Sequence, residues 1–196
     1  MDLARVDSPL GEIVLAVRDG KLVALEFECV PGSLARRFPG EPLVPSGDPA
    51  GIAGRVEAYF QGELRALEGI ETDAGGTEFQ RLVWRELVRI PVGERRSYSD
   101  VARAIGRPSA VRAVGAANGS NPIALVIPCH RVLGKDGSLT GYASGIERKK
   151  WLLDHEMAAS PQGPLLRVRG AGSPPGEAGG ASPPGWMNCP VSHSAF

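Results

Sequence analysis

Residues 97–132 read SYSDVARAIGRPSAVRAVGAANGSNPIALVIPCHRV. Ser99 can cap a short helix running through Ile105, Gly106-Arg107-Pro108 turns the chain, and Ser109 can cap a second helix through about Asn118. Two short helices joined by a glycine-containing turn make a helix-turn-helix. On a helical wheel Arg112 shares its face with Gly115, Ala116 and Gly119, while Val111 and Val114 lie on a neighbouring face and can anchor to a core. One long cationic side chain thus rises from a surface of small residues, and such a surface lets a helix backbone approach DNA closely. The alternative is an Ala/Gly-rich helix packed tightly on another helix, with Arg112 merely solvated.

The apolar run Ile123 to Ile127 reads as a buried strand. Pro128 ends its hydrogen bonding and leaves Cys129 at a turn facing a cleft. Cysteine is a strong nucleophile only as the thiolate, and His130 can take the thiol proton. A Cys-His pair alone is a weak signal, more often met as a structural cysteine beside a surface histidine, so its context matters. The three cysteines, Cys29, Cys129 and Cys189, are few and odd in number, which argues for a reducing cytoplasm over a disulfide framework. Cys29 has no partner nearby in sequence.

Toward the N-terminus, Ile13, Leu15 and Val17 alternate with small residues, as do Val23, Leu25 and Phe27, and Asp19-Gly20 between them is a hairpin signal. Residues 29–49 read as a loop, and Ile52, Val56, Tyr59 and Phe60 follow helical spacing. Gly75-Gly76 marks a boundary, after which Thr77 and Gln80 fit a capping box for a helix through Val83, Leu87 and Ile90 that Pro91 and Gly93 end. A last helix spans 147–157. The expected organisation is an α/β (α+β) chain with a small N-terminal antiparallel sheet with helix over 1–75, a mainly helical domain holding the helix-turn-helix and the cysteine cleft over 76–160, and a disordered Gly/Pro-rich tail over 161–196. Trp186, Met187 and Cys189 fall in that tail. Residues 1–80 carry 7 Lys/Arg against 14 Asp/Glu, whereas residues 81–150 carry 13 against 5. A basic segment of this size suits nucleic acid, a solvated surface being the alternative. No run approaches the roughly 18 apolar residues of a membrane helix.

Pro128-Cys129-His130-Arg131-Val132 resembles the active-site signature of the O6-alkylguanine-DNA alkyltransferases. Further matches follow in order: Gly76 to Gln80, Val83-Trp84 and Ile90 to Gly93; Ser97-Tyr98 and Ala102; Arg112 to Gly115; Asn121-Pro122; Gly137 to Gly145; and Leu152 to Glu156. The resemblance covers roughly residues 77–156 and continues more weakly through the N-terminal strands. It implies a ribonuclease-H-like first unit and a winged-helix-like second one. It also implies roles: Cys129 as alkyl acceptor, His130 as a base reached through water, Glu156 orienting it, Tyr98 as a donor to the departing guanine, and Asn121 holding the segment before the cysteine. Arg112, with Ala113, Gly115, Ala116 and Ser99, would contact DNA and fill the gap left by a flipped nucleotide, since a base inside a duplex hides its O6 substituent. Pro128, Val132, Tyr142, Ala143 and Ser144 would line the base pocket. Ala143 stands where some members have a hydroxyl residue, and the zinc ligands of some members are absent, so no metal is expected.

The implied partner is double-stranded DNA carrying O6-alkylguanine, with O4-alkylthymine left open. The implied protein is a cytoplasmic monomer that uses no membrane and no cofactor and is consumed in one turnover. The competing readings are a non-enzymatic alkylguanine-lesion binding protein, which would lack the acceptor cysteine, a helix-turn-helix DNA-binding regulator, and a Cys-His hydrolase.

Overall fold

The computed structural model describes residues 1–27 and 33–158. Strands β1 (Asp2–Val6), β2 (Ile13–Arg18) and β3 (Lys21–Phe27) form an antiparallel meander. Asp19 and Gly20 both adopt positive φ, 50° and 76°, as a two-residue turn matched to strand twist requires. The expected loop over 29–49 is not wholly irregular. It contains a short helix α1 (Ser33–Arg37) and an edge strand β4 (Val44–Pro45), which joins β1 in parallel and makes the sheet order β3-β2-β1-β4. Both elements are too short to show a periodicity in sequence.

The sheet is covered on both faces. Ile13, Leu15 and Val17 point into the main core with Val56 and Tyr59, whereas Val14 and Ala16 pack with Leu34 on the other side. That explains why β2 carries almost no polar residue. Helix α2 (Ile52–Phe60) lies in the main core, which continues without interruption through Val83, Leu87, Val101, Val114 and Leu152.

Helix α3 (Glu78–Val88) begins with the expected capping box, Thr77 accepting from the Gln80 amide while the Gln80 side chain accepts from Thr77. Its Trp84 indole donates to the Ala117 carbonyl at 2.8 Å and so ties α3 to the second helix of the helix-turn-helix. That motif comprises α4 (Tyr98–Ala104) and α5 (Val111–Gly119). Two expected caps move. Ser97 caps α4, forming a capping box with Asp100, and Ser99 lies inside the first turn with its hydroxyl 2.8 Å from that of Ser97. Ser97 is preferred because it alone has an acidic residue three positions on. Ser109 does not cap α5, whose preceding residue, Ala110, offers no side-chain bond.

The expected strand over 123–127 is also replaced. Only Ile123 bridges to Leu25, after which the chain turns, with the Ile127 amide donating to the Ile123 carbonyl and Leu125 at φ 66°. Asn121 imposes this turn: its Oδ1 accepts from the Ile123 amide at 3.0 Å and its Nδ2 donates to the Ile127 carbonyl at 2.8 Å. A side chain that binds both ends of a five-residue segment cannot be reconciled with extended backbone. Two-residue strands β5 (Arg96–Ser97) and β6 (Val132–Leu133) pair in parallel and bracket the cysteine turn, and α6 (Ile146–Ala158) closes the structure. No helix of the described residues is long and apolar enough to cross a membrane.

Candidate active site and nucleic-acid interface

Cys129, His130 and Arg131 form a single 3-10 turn between Pro128 and β6. The Cys129 amide donates to the Ile127 carbonyl at 2.7 Å and the Arg131 amide to that of Pro128 at 3.0 Å. In such a turn successive side chains stand about a third of a turn apart rather than on opposite faces, as they would in an extended strand. Cys129 is buried, 6% exposed. Cys29, Cys189, Trp186 and Met187, with the rest of 161–196, lie outside the described residues.

Glu156 on α6 is the hub of the site. Its Oε1 accepts from His130 Nε2 at 2.9 Å, from Arg131 at 2.7 Å and from the Tyr59 hydroxyl at 3.1 Å, and its Oε2 accepts from Arg131 Nε at 3.0 Å. Arg131 in turn donates to the Ile90 carbonyl at 2.6 Å. The carboxylate is 1% exposed. Burial alone would push its carboxyl up, but the His130 hydrogen bond and the Arg131 guanidinium outweigh burial and hold it well below the usual range. An ionised carboxylate only accepts, so His130 Nε2 carries a hydrogen and Nδ1 presents its lone pair. Nδ1 is buried with no hydrogen-bond partner among the described residues. Burial pushes the His130 imidazole down against the pull of Glu156, with Arg131 and Lys149 adding to the downward push. The ring is therefore neutral at pH 7 and can accept a proton.

The thiol is not pre-ionised. Burial pushes Cys129 up, and the Asn121 side chain and the Lys149 ammonium only partly oppose this. Deprotonation must therefore accompany reaction rather than precede it. Lys149 was legible in sequence only as part of a basic run, yet it is buried, donates to the Thr140 carbonyl at 2.7 Å and lies over the Tyr98 ring. Burial lowers it to about 8, against the opposing pull of Cys129.

Tyr98 also faces the cysteine, but its hydroxyl donates to the carbonyls of Thr140 and Gly141, at 3.0 and 3.3 Å. The approach is so close that a Cβ on Gly141, itself at φ 59°, would sit 3.0 Å from the phenol oxygen. Tyr142 follows on this loop with its hydroxyl buried and unpaired. Burial and then the Cys129 charge push its phenol well above the ordinary value, so it remains a donor. Ala143 is exposed and Ser144 is half-buried with its carbonyl accepting from Arg148, whereas Pro128 and Val132 are fully buried behind the cysteine. A cavity of about 370 Å³ is lined by Pro128 and Arg131 together with Leu64, Leu67, Ile90 and Val126, and not by Cys129. Among the described residues no cluster of His, Cys, Asp or Glu could hold a metal.

On α5, Val114 and Ala117 are buried while Arg112, Ala113, Ala116 and Gly119 are exposed. A Cβ placed on Gly115 or Gly119 would meet nothing within 4 Å. Among the described residues the small-residue face is thus open, with no other helix packed tightly on it.

Residues 78–158 match the family model for the 6-O-methylguanine DNA methyltransferase DNA-binding domain. Over 159 residues the chain is 49% identical to the methylated-DNA--protein-cysteine methyltransferase of Mycolicibacterium paratuberculosis, covering 80% of this chain and 92% of that one. It is 43% identical to the Salmonella typhimurium protein of the same name, covering 78% and 93%. The crystal structure of Mycobacterium tuberculosis OGT in complex with DNA superimposes with a TM-score of 0.72 at 42% identity, covering 82% of this chain and 96% of that one.

Proposed function

Because this chain belongs to the methylated-DNA--protein-cysteine methyltransferase family, we propose that it reverses O6-alkylguanine damage in DNA by taking the alkyl group onto Cys129. The observation that carries this reading is the Glu156–His130 pair, which leaves a buried imidazole lone pair in the same turn as the buried Cys129 thiol. His130 Nδ1 takes the thiol proton, directly or through water, as sulfur attacks the alkyl carbon. The carbon–O6 bond breaks, and its electron pair passes to the guanine, which gains a proton from a hydroxyl donor. The imidazolium then returns its proton to the phenolate through solvent, so that net the thiol proton ends on guanine and the alkyl group on sulfur. Glu156 stabilises the transient imidazolium, as a buried carboxylate does for any catalytic histidine.

Tyr98 is the donor to guanine in this proposal, and it must exchange its loop carbonyls for the base. The Tyr142 hydroxyl, buried without a partner, is a second group able to bond the flipped base. Arg112 on its open face fills the vacated stack, and Asn121 fixes the turn that presents the cysteine. Residues 1–75 support, and residues 76–160 bind DNA and accept the alkyl group. The protein acts as a cytoplasmic monomer. A helix-turn-helix regulator would use α4 and α5 equally well but leaves the buried Cys129–His130–Glu156 set without purpose, and a lesion-binding relative would lack Cys129.

A thioether is not readily reversed, so each molecule acts once. Titration against duplex bearing radiolabelled O6-methylguanine should therefore show label on protein rising to one per chain and stopping. Continued turnover would overturn the proposal.

A further inference from the structure

Glu156 Oε1 receives donors from three residues in two parts of the chain: His130 and Arg131 from the cysteine turn, and Tyr59 from α2, 97 residues away in sequence. Tyr59 is 1% exposed and meets α6 twice, because its backbone carbonyl also accepts from His155 Nε2 at 2.9 Å. We propose that Tyr59 is a positioning residue for alkyl transfer, its hydroxyl holding Glu156 Oε1 against His130 Nε2 so that the N-terminal half takes a direct share in the chemistry. The proposal rests on the transferase reading above.

The geometry distinguishes this from simple packing. Tyr59 remains a phenol, since burial and then the Glu156 charge push it well above its ordinary value, so it can only donate to the carboxylate. A carboxylate oxygen shared among three donors gives each less electron density than it would give alone. Removing the phenol donor therefore leaves more charge density on Oε1, which makes the imidazole a stronger base, while it frees the carboxylate to rotate out of line with Nε2. The charged and titratable groups that face His130 are otherwise constant: Cys129 and Arg131 in its own turn, and Lys149 and Glu156 from α6.

The test follows single-turnover transfer from free O6-benzylguanine against pH in the full chain. Tyr59→Phe should lower the plateau rate by about tenfold to a hundredfold, the worth of one hydrogen bond to a charged group, and move the acid limb up by roughly half to one pH unit. Val56→Ala, one turn earlier on α2 and fully buried, should reduce stability without moving that limb. An unmoved limb in Tyr59→Phe, with or without a slower plateau, overturns the proposal. If Tyr59→Phe fails to fold, 3-fluorotyrosine placed at position 59 alone keeps the shape and donates more strongly. It should move the limb down, and no movement again overturns the proposal. An inert wild type would instead refute the transferase reading. In that case the 15N titration of His130, compared between wild type and the fluorotyrosine protein, still reads the coupling, and identical curves refute it.

Discussion

Replacing Glu156 by Gln keeps the shape of the buried hub and removes its charge. Arg131 then remains buried, its guanidinium still bonded to the Ile90 carbonyl but facing a neutral amide. Breaking a buried pair from one side costs about 3–5 kcal/mol, a large fraction of the roughly 5–15 kcal/mol that holds a domain folded. The pH dependence follows from the direction of the Glu156 shift. Its carboxyl is held well below the usual range when folded, whereas the unfolded group titrates near about 4.3. Its stabilisation is therefore fully present above the unfolded value and is lost as pH falls toward the folded one. The gap between wild type and variant should narrow by roughly 1.4 kcal/mol per unit below about pH 4. Other carboxylates cancel in the difference. Urea melts at pH 7 and pH 3 measure it, and single-turnover transfer from O6-benzylguanine should slow by about 10²–10⁴-fold as the imidazolium loses its counter-charge. A stability gap below about 1 kcal/mol at pH 7, or one that does not narrow in acid, would refute the buried ion-pair account.

Three further outcomes are expected. Lys149→Met removes the cation that opposes burial at Cys129, so transfer at pH 7 should slow by about tenfold, one unit of thiol pKa. Because Lys149 titrates at about 8, the deficit should close as pH rises past that value, and a constant deficit would deny the electrostatic role. Arg112→Ala should slow repair in duplex DNA on the order of tenfold, the scale of a lost charge-assisted contact, with reaction of free O6-benzylguanine unchanged, and equal losses would show that Arg112 does not serve the flipped state. Asn121→Ala leaves the Ile127 carbonyl and Ile123 amide without their side-chain partner and should cost about 1–3 kcal/mol in a denaturant melt, with a slower transfer rate.

What the sequence revealed is what local chemistry encodes. Thr77 and Gln80 announced the start of α3, Asp19-Gly20 the first hairpin, and the wheel position of Arg112 its open face. The misread positions were decided by neighbours. Ser97 displaces Ser99 as cap because Asp100 lies within its reach, and the apolar run at 123–127 reads as strand until the Asn121 side chain is seen to bind both its ends. The site was readable as far as its motif extended, which gave Cys129, His130 and Glu156. Tyr59 and Lys149 carry no local signal. Tyr59 fits the apolar stripe of an amphipathic helix, and Lys149 sits between two other basic residues, so only the long-range packing of α2 and the 137–145 loop against α6 gives either one its place.

Peptide mapping after stoichiometric reaction with duplex DNA containing O6-methylguanine tests the acceptor assignment most directly. Cys129 shares its turn with a buried imidazole, and an ionised carboxylate holds that imidazole from the helix packed against the turn. One methyl group on the peptide containing Cys129, none on those containing Cys29 or Cys189, and no transfer by Cys129→Ala despite retained DNA binding is the expected result. A methyl group on any other residue, or transfer by the Cys129→Ala protein, would contradict it.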